Sequence, residues 1–253
     1  MFRYRKLAKD MTITTKVMDI VKDKMTIVKQ SDTENICLVG PVKLPIKQGE
    51  FSATFQWYNW LKVDGHLSKE EIIDELATAN LAFSQQSSVL VYGDFANEDD
   101  VLIRMHSICH TGDIFGSQRC DCGYQLHESM KMIVEHGSGA IFYLADHEGR
   151  GIGLFSKSLA YLLQEEGLDT VEANHALGFQ DDTRSYEEAI TVLTALRSKP
   201  VTLITNNPKK LAALQMHGLT ADGHIPLWGG LTETNRFYLD TKVEKSGHIR
   251  EMK

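Results

Sequence analysis

Three of the four cysteines lie within fourteen residues, at Cys109, Cys120 and Cys122. Three thiolates can bind one zinc ion and leave the fourth tetrahedral position for water, which is the pattern of a catalytic site. The Cys120–Cys122 spacing is shorter than the Cys-x2-Cys knuckle of structural sites, and the chain has no second pair of that kind. The spacing therefore favours catalytic zinc. Buried free thiols, or a structural site completed by His106 or His110, are the alternatives.

A glycine-rich segment, residues 147–153 with the sequence HEGRGIG, lies at a predicted strand-to-helix junction. Glycines permit close approach of the backbone to a ligand, and a helix N-terminus favours anions. Arg150 could donate two hydrogen bonds to a phosphate or a base edge, and Glu148 could accept two N–H groups, such as those of a guanine edge. The order of residues matches neither the Walker loop nor the dinucleotide fingerprint, so an ordinary turn is the alternative.

A second strand-to-helix junction, residues 205–210 with the sequence TNNPKK, suits a phosphate. The Thr205 hydroxyl, the free N–H groups at the start of the helix and two lysines, including Lys210, would donate to it. The alternative is a well-capped helix with two solvated lysines.

Two further features give weaker signals. Asp182 and Arg184 precede a predicted helix, and an acid beside an arginine is more often a surface ion pair than a catalytic pair. Tyr161 lies inside a predicted helix, where an aromatic side chain usually belongs to the core or to an interface. The pattern alone therefore favours structural roles for all three residues.

The elements that would hold these residues alternate between strand and helix in the second half of the chain, which predicts an α/β fold with a partly parallel sheet. The predicted strands are 11–17, 25–28, 42–55 with a turn inside it, 88–93, 100–106, 139–145 and 201–205. The predicted helices are 67–82, 125–137, 154–166, 185–197 and 208–218. Ser68 with Glu71 and Ser185 with Glu188 predict capping boxes, Gly137 a left-handed C-cap and Asn207 an N-cap.

The overall composition limits the class of protein. The 253 residues can bury a full core, and a net charge of −7 argues against a general nucleic-acid or membrane-surface binder. An anionic substrate would therefore need a local basic pocket. Four cysteines are too few for a disulfide scaffold, and no apolar run has the length of a signal peptide or a membrane span. These observations predict a cytoplasmic protein with free thiols, in which Cys37 is a buried core residue.

The cysteine stretch and the segments EGRGIGL, DTVEANHALGF, TLITNNPKK and YLDTKVEKSGH occur in an order that resembles the GTP cyclohydrolase II family. The resemblance runs from Leu44 to Gly247. It implies an α/β fold of mixed sheets with flanking helices in a single catalytic domain. We assign that domain to residues 37–253, preceded by an N-terminal extension of unknown role at residues 1–36.

In that family GTP loses C8 of its guanine as formate and its β,γ-phosphates as pyrophosphate, which opens riboflavin biosynthesis. The resemblance implies one zinc ion per subunit on the three cysteines, whose water attacks C8, together with Mg²⁺ on the triphosphate and a homodimer. Matches to GTP contacts are Arg104, Met105, His106, Ser107, Gln125, Glu148, Gly149, Arg150, Thr170, Thr205 and Lys210. Matches to catalytic groups are Asp182 as proton acceptor, Arg184 as nucleophile at the α-phosphate and Tyr161 in ring opening. Because arginine is normally protonated, electrostatic stabilisation by Arg184 is the alternative.

Two places depart from the family pattern. Ile108 stands where Glu is frequent, so an apolar side chain adjoins the first predicted metal ligand. Asp146 and His147 stand where Arg and Gln are common, which exchanges a cation for an anion near a polyanionic substrate. The alternative functions are a diverged paralogue that opens the ring of GTP or a related compound without completing the reaction, and a non-catalytic nucleotide-binding relative. The retained cysteines and catalytic positions favour the full reaction.

Overall fold

The structure is a computed structural model that describes residues 8–249. Within that range the chain forms eight strands and nine α-helices. The strands are β1 (Met25–Lys29), β2 (Glu34–Gln48), β3 (Phe51–Asp64), β4 (Ser88–Tyr92), β5 (Leu102–Ser107), β6 (Gly139–Leu144), β7 (Val201–Ile204) and β8 (Thr220–Ile225). The helices are α1 (Ala8–Asp23), α2 (Lys69–Glu75), α3 (His110–Asp113), α4 (Cys122–His136), α5 (Gly153–Glu165), α6 (Thr170–Ala176), α7 (Glu187–Leu196), α8 (Pro208–Met216) and α9 (Arg236–Glu244).

The strands form one mixed sheet in the order β1-β2-β3-β4-β6-β5-β7-β8. The pairs from β1 to β4, and the β4–β6 pair, are antiparallel, whereas β6, β5, β7 and β8 run parallel. The predicted α/β class with a partly parallel sheet is confirmed. β1 belongs to the same sheet as the later strands, and the predicted boundary between residues 36 and 37 lies within β2. No helix within residues 8–249 is long and apolar enough to cross a membrane.

The core occupies both faces of the parallel part of the sheet, because neighbouring residues of a strand point to opposite faces. Ile103 and Phe142 belong to a cluster that also contains Leu193 of α7. Leu102 and Ile141 belong to a second cluster with Ile133 of α4. Burying each such side chain contributes roughly 2 kcal/mol, so the helices hold the central strands rigidly from both sides.

The carboxyl ends of the central parallel strands meet at one edge of this core. Ser107 at the end of β5 lies beside Leu144 at the end of β6. Ligands of open α/β sheets bind outside the carboxyl ends of the strands. The segments that follow β5, β6 and β7 are the cysteine stretch, HEGRGIG and TNNPKK, so the sheet brings all three predicted motifs to one edge.

Several local signals are confirmed. Ser68 and Glu71 form the predicted capping box at the start of α2, and Gly137 ends α4 with a φ of 102°. Asn207 caps α8 by accepting a hydrogen bond from the N–H of Lys209 at 2.9 Å. Cys37 is buried as predicted.

The predicted strand at residues 11–17 is wrong, because these residues belong to α1. The β-branched residues favour a strand locally, but Val17 and Val21 are spaced by one helical turn. Val21 packs against the buried cluster of Met25, Cys37 and Ile72. This contact stabilises the helical conformation.

The predicted capping box of Ser185 and Glu188 is also wrong. Tyr186 is the N-cap of α7, without a side-chain capping hydrogen bond. Glu188 instead accepts a hydrogen bond from Trp60 Nε1 at 3.2 Å and pairs with Lys62 at 3.0 Å. Partners on β3 therefore replace the local capping interaction.

Candidate active site

A single cleft opens at the carboxyl ends of β5, β6 and β7. Every residue predicted for the site lines it except Met105. The Met105 side chain is buried in the core, and its carbonyl accepts a hydrogen bond from Lys210 Nζ at 2.7 Å. Met105 therefore supports the cleft through its backbone.

The three predicted metal ligands converge on one point, and we call Cys109, Cys120 and Cys122 the thiol cluster. Their sulfur atoms all lie within 4.8 Å of one another, and the Cys109 and Cys120 sulfurs are 3.6 Å apart. Zinc–sulfur bonds of about 2.3 Å in a tetrahedron would separate two sulfurs by about 3.8 Å. The donor set and its spacing therefore fit zinc.

The surroundings of the thiol cluster also fit an open metal site. A Cβ atom added at Gly112 would lie 3.1 Å from both the Cys109 and the Cys120 sulfur, so the glycine leaves room beside them. Among residues 8–249, the group that could hold a metal contains three cysteines and no histidine. His106 instead contacts Asp113, and His110 packs edge-on against Phe115. Neither histidine completes a structural site.

Electrostatics within the thiol cluster favour a thiolate on Cys109. Hydrogen bonds from Cys120 and Cys122, together with the charge of Lys157, lower the pKa of Cys109. The contact with Cys109 raises the pKa of Cys120 to about 11. A divalent cation would favour deprotonation of the remaining thiols, since metal binding releases their protons.

Asp113 anchors the segment that carries the first thiol, and sequence reasoning missed it. Its carboxylate accepts hydrogen bonds from the Cys109 N–H at 2.9 Å and from the Tyr143 hydroxyl at 3.1 Å. It also contacts His106 Nε2 at 3.0 Å. Its position in α3, four residues after Cys109, was the available signal, because residues one helical turn apart lie close together.

Arg104 and Gln125 form the floor of the cleft. Arg104 Nη2 donates to Gln125 Oε1 at 2.6 Å, and Gln125 Nε2 donates to Asp121 Oδ2 at 2.7 Å. Both predicted residues are buried, and this chain of hydrogen bonds satisfies them.

The HEGRGIG segment turns tightly beside the thiol cluster. Gly149 has a φ of 61°, and a Cβ there would lie 2.8 Å from Ile152, so the close approach requires glycine. Glu148 is buried and accepts hydrogen bonds from the His110 N–H at 2.7 Å and from Lys157 Nζ at 2.6 Å. Lys157 was missed by sequence reasoning. Its position one helical turn before Tyr161 on α5 was the available signal.

Tyr161 lines the cleft near the thiols instead of packing in the core. Its hydroxyl lies 3.3 Å from the Thr111 hydroxyl, and the Arg119 guanidinium lies 4.7 Å from its ring centre. Burial raises the pKa of Tyr161, so its hydroxyl stays protonated at neutral pH.

A second group lines the same cleft, and we call it the basic wall: Arg184, Lys209 and Lys210, with Asp182. Arg184 donates to Asp182 through Nε at 2.7 Å and through Nη2 at 2.8 Å. Burial opposes the charge of Asp182, but the hydrogen bonds from Arg184 outweigh it and lower the pKa to about 2. The same pairing raises the pKa of Arg184 despite its burial. The pair therefore stays ionised at neutral pH.

Burial, with the Arg184 and Arg104 charges, lowers the pKa of Lys210. An anion in the cleft would relieve this repulsion. Thr205 lies at the end of β7, and its hydroxyl accepts the N–H of Asn207 at 3.0 Å. Thr170 lies at the start of α6, which Asp169 caps. This side of the cleft thus combines cations with helix N-termini, which suits phosphate groups.

Asp146 and His147, which depart from the family pattern, differ in whether they line the cleft. His147 Nε2 donates to the Ser185 carbonyl at 2.8 Å, so its Nδ1 accepts from the Ser107 hydroxyl at 3.1 Å. Arg184 Nη1 in turn donates to the Ser107 oxygen at 3.2 Å. Asp146 is not among the residues that line the cleft. Ile108 does line it, beside the thiol cluster.

The C-terminal segment closes one side of the cleft, and no individual residue in it was predicted. Lys242 pairs with Asp121 at 3.0 Å, and Arg150 Nη2 donates to the Ser246 hydroxyl at 3.0 Å. The motif YLDTKVEKSGH was the available signal. Its lining residues are Tyr238, Lys242, Lys245, Ser246 and His248.

Comparison with known proteins identifies a family. The profile of the family described as GTP cyclohydrolase II matches residues 75–226. The chain is 48% identical over 171 residues to riboflavin biosynthesis protein RibBA of Bacillus cereus (strain AH187), across 68% of this chain and 43% of that protein. It is 47% identical over 164 residues to monofunctional riboflavin biosynthesis protein RIBA 3, chloroplastic, of Arabidopsis thaliana, across 65% of this chain and 32% of that protein.

The matches thus span less than half the length of these relatives. The family profile nevertheless covers more than half of this chain, and it includes the thiol cluster and the basic wall. The chain therefore belongs to the GTP cyclohydrolase II family.

Proposed function

We propose that the chain hydrolyses GTP to 2,5-diamino-6-(5-phospho-D-ribosylamino)pyrimidin-4(3H)-one, formate and pyrophosphate, the first step of riboflavin biosynthesis, in a zinc-dependent reaction. One observation carries the proposal: the thiol cluster and the basic wall face the same cleft. The two hydrolyses differ in chemistry, since one attacks a ring carbon and the other a phosphate. A cleft that combines a soft metal site with cationic side chains suits both.

The ring reaction takes place at the thiol cluster in this proposal. Cys109, Cys120 and Cys122 would hold zinc, which when bound supplies an activated water for hydrolysis at C8. Glu148 and Arg150 would orient the guanine. Glu148 Oε1 already accepts hydrogen bonds from Lys157 and from the Gly149 N–H. Oε2 accepts one, from the His110 N–H, and a carboxylate oxygen can accept two, so a guanine N–H can share Oε2. The protonated Tyr161 hydroxyl would donate a hydrogen bond or a proton as the ring opens.

The phosphate reaction takes place at the basic wall. Lys209, Lys210 and the N-terminus of α8 would bind the phosphates with Mg²⁺, which offsets charge on the leaving pyrophosphate. Because Arg184 is bound through two nitrogens to Asp182 and stays protonated, we assign it electrostatic stabilisation at the α-phosphate in place of covalent attack. Asp182 would then orient Arg184 and accept a proton from water.

The test is incubation of the zinc-loaded protein with GTP and Mg²⁺, followed by mass identification of every product. We expect formate, pyrophosphate and the pyrimidinone phosphate in equal amounts. A product that keeps its formyl group or its triphosphate would instead support the paralogue that stops after ring opening. Tight GTP binding without any product would contradict the proposal and favour a non-catalytic relative.

We also propose a homodimer with one zinc ion per subunit, in which residues 37–253 form the catalytic unit. Light scattering tests the homodimer, and metal analysis tests the zinc content of each subunit. The free thiols suit a reducing compartment, and we propose the cytoplasm. Fractionation of the source cells would test this location.

A further inference from the structure

Lys157 contacts both the metal site and the proposed base-binding loop. Its side chain extends from α5 into the cleft, and the residue is 8% exposed. Its Nζ lies 3.2 Å from the Cys109 sulfur and 2.6 Å from Glu148 Oε1. A lysine is rarely buried without polar partners, and here its ammonium donates to a sulfur atom and to a carboxyl oxygen.

Those two partners share one donor. Cys109 and Glu148 are both buried, and both accept a hydrogen bond from the same ammonium group. Without that group the Cys109 sulfur and Glu148 Oε1 would each lose a charged hydrogen bond, which costs more in a buried site than at the surface. Lys157 therefore connects the metal site to the proposed base-binding loop through two hydrogen bonds.

Other cations near the cleft have different partners. Arg119 pairs with Glu165, and Lys210 donates to the Met105 carbonyl. Among residues 8–249, Lys157 is the one cation that donates a hydrogen bond to a cysteine sulfur.

We propose that Lys157 is a positioning residue that joins the two parts of the ring-opening site. Its ammonium holds the Cys109 thiolate in place for the metal and, at the same time, fixes Glu148 beside the base. The Cys109 part requires only that the thiol cluster binds a divalent metal. The Glu148 part rests on the function proposed above.

Zinc affinity of the full chain tests the Cys109 part without any substrate. Competition with a chromogenic chelator should show that Lys157→Met binds zinc about 10- to 100-fold more weakly, as is typical when a partner of a metal ligand is removed. Lys157→Arg should recover much of the affinity. Lys131→Met is the matched control, because Lys131 is an exposed residue of α4, the helix that carries Cys122. It should bind zinc like the parent protein.

A second variant separates this effect from misfolding. Lys157→Met leaves Glu148 buried without its cationic partner. The double variant, Lys157→Met with Glu148→Gln, removes both ionisable groups. We expect the double variant to fold and still to bind zinc more weakly. Its cobalt-substituted form should also show a shifted sulfur-to-cobalt charge-transfer band. Parent-like affinity and spectrum in the double variant would overturn the inference.

Kinetics with saturating zinc test the Glu148 part. Lys157→Met should raise KM for GTP, because Glu148 loses its charged donor and keeps only the backbone N–H donors of His110 and Gly149. An unchanged KM would overturn this part. If the parent protein binds zinc but does not turn over GTP, the proposed function fails while the zinc result still decides the Cys109 part.

Discussion

The thiol cluster and the basic wall lie in the same cleft but are assembled differently. The thiol cluster comes from one segment of fourteen residues, with one ligand just before α3 and another at the start of α4. The basic wall combines the segment before α7 with the start of α8, and it contacts Ser107 at the end of β5. One short segment therefore supplies all three predicted metal ligands, whereas the residues of the phosphate-binding side come together through strand order.

The two regions also have opposite charge. The thiol cluster gathers three groups that become anions when they bind a metal, and one of them, Cys109, contacts the ammonium of Lys157. In the basic wall, Arg184 and Lys209 both pair with a single acidic residue, Asp182. The chain carries a net charge of −7, so the basic wall is the local basic pocket that an anionic substrate requires. The cleft therefore combines one group suited to a metal cation with another suited to a polyanion.

If the two regions act separately, Cys120→Ser should have the largest effect of the variants proposed here. It should affect the thiol cluster and leave the basic wall unchanged. Removing one of three soft ligands should abolish zinc binding and formate release, while GTP binding at the basic wall persists. Metal analysis, a formate assay and calorimetry with GTP measure these quantities. Cys37→Ser is the control, because Cys37 is buried in a different cluster. Formate release at the parent rate by Cys120→Ser would show that the zinc mechanism is wrong.

Arg184→Ala should affect the basic wall and leave the thiol cluster intact. We expect pyrophosphate release to fall about 10³-fold, as when a preorganised electrostatic donor is removed. Arg184→Lys keeps the charge but loses the two-nitrogen contact with Asp182, so it should recover only part of the rate. Zinc content should match the parent in both variants. Loss of zinc from Arg184→Ala would show that the two regions are not separable.

The stability of the protein should depend on pH through His147, which shares Ser107 with Arg184 of the basic wall. Burial and the Arg184 charge lower the pKa of His147 to about 4. Since the unfolded pKa is about 6.5, the folded state binds this proton more weakly, and stability present above pH 6.5 is lost as the pH falls towards 4. Between pH 7 and 5 the parent should lose about 2 kcal/mol of unfolding free energy through His147. Urea titrations at both pH values measure it.

His147→Gln cannot titrate, so it should lose correspondingly less stability over the same interval. Burial lowers the pKa of His248 to about 3, which adds a similar loss to both proteins. His127→Gln, on the exposed face of α4, is the matched substitution at a surface position. An equal loss in the parent and in His147→Gln would mean that His147 is protonated equally in the folded and unfolded states.

The smallest effect is expected at Gly112. A Cβ there would lie 3.1 Å from two sulfurs, so Gly112→Ala should weaken zinc binding about tenfold by displacing them. Gly230→Ala is the control, because a Cβ at Gly230 meets nothing within 4 Å. Chelator competition compares the two variants. Parent-like affinity in Gly112→Ala would show that the thiol cluster adapts freely and that the glycine is not required.

Much of the fold was predictable because its signals are local. The capping box at Ser68, the C-cap at Gly137 and the alternation of strands with helices follow from short-range rules, and all are confirmed. The predictions failed where a partner distant in the sequence competed with a local interaction. Glu188 has partners on β3 in place of its own helix, and α1 forms where β-branched residues favoured a strand.

The sequence by itself determined the thiol cluster and the family resemblance, because a metal site in one short segment depends mainly on residue type and spacing. Only the tertiary structure showed that Lys157 contacts Cys109 across 48 residues, or that Arg184 contacts Ser107 across 77. These contacts depend on β5, β6 and β7 ending side by side, which follows from the packing of the whole sheet. Spacing along the chain does not show which of these residues meet, since the packing of the sheet and its helices sets their separation in space.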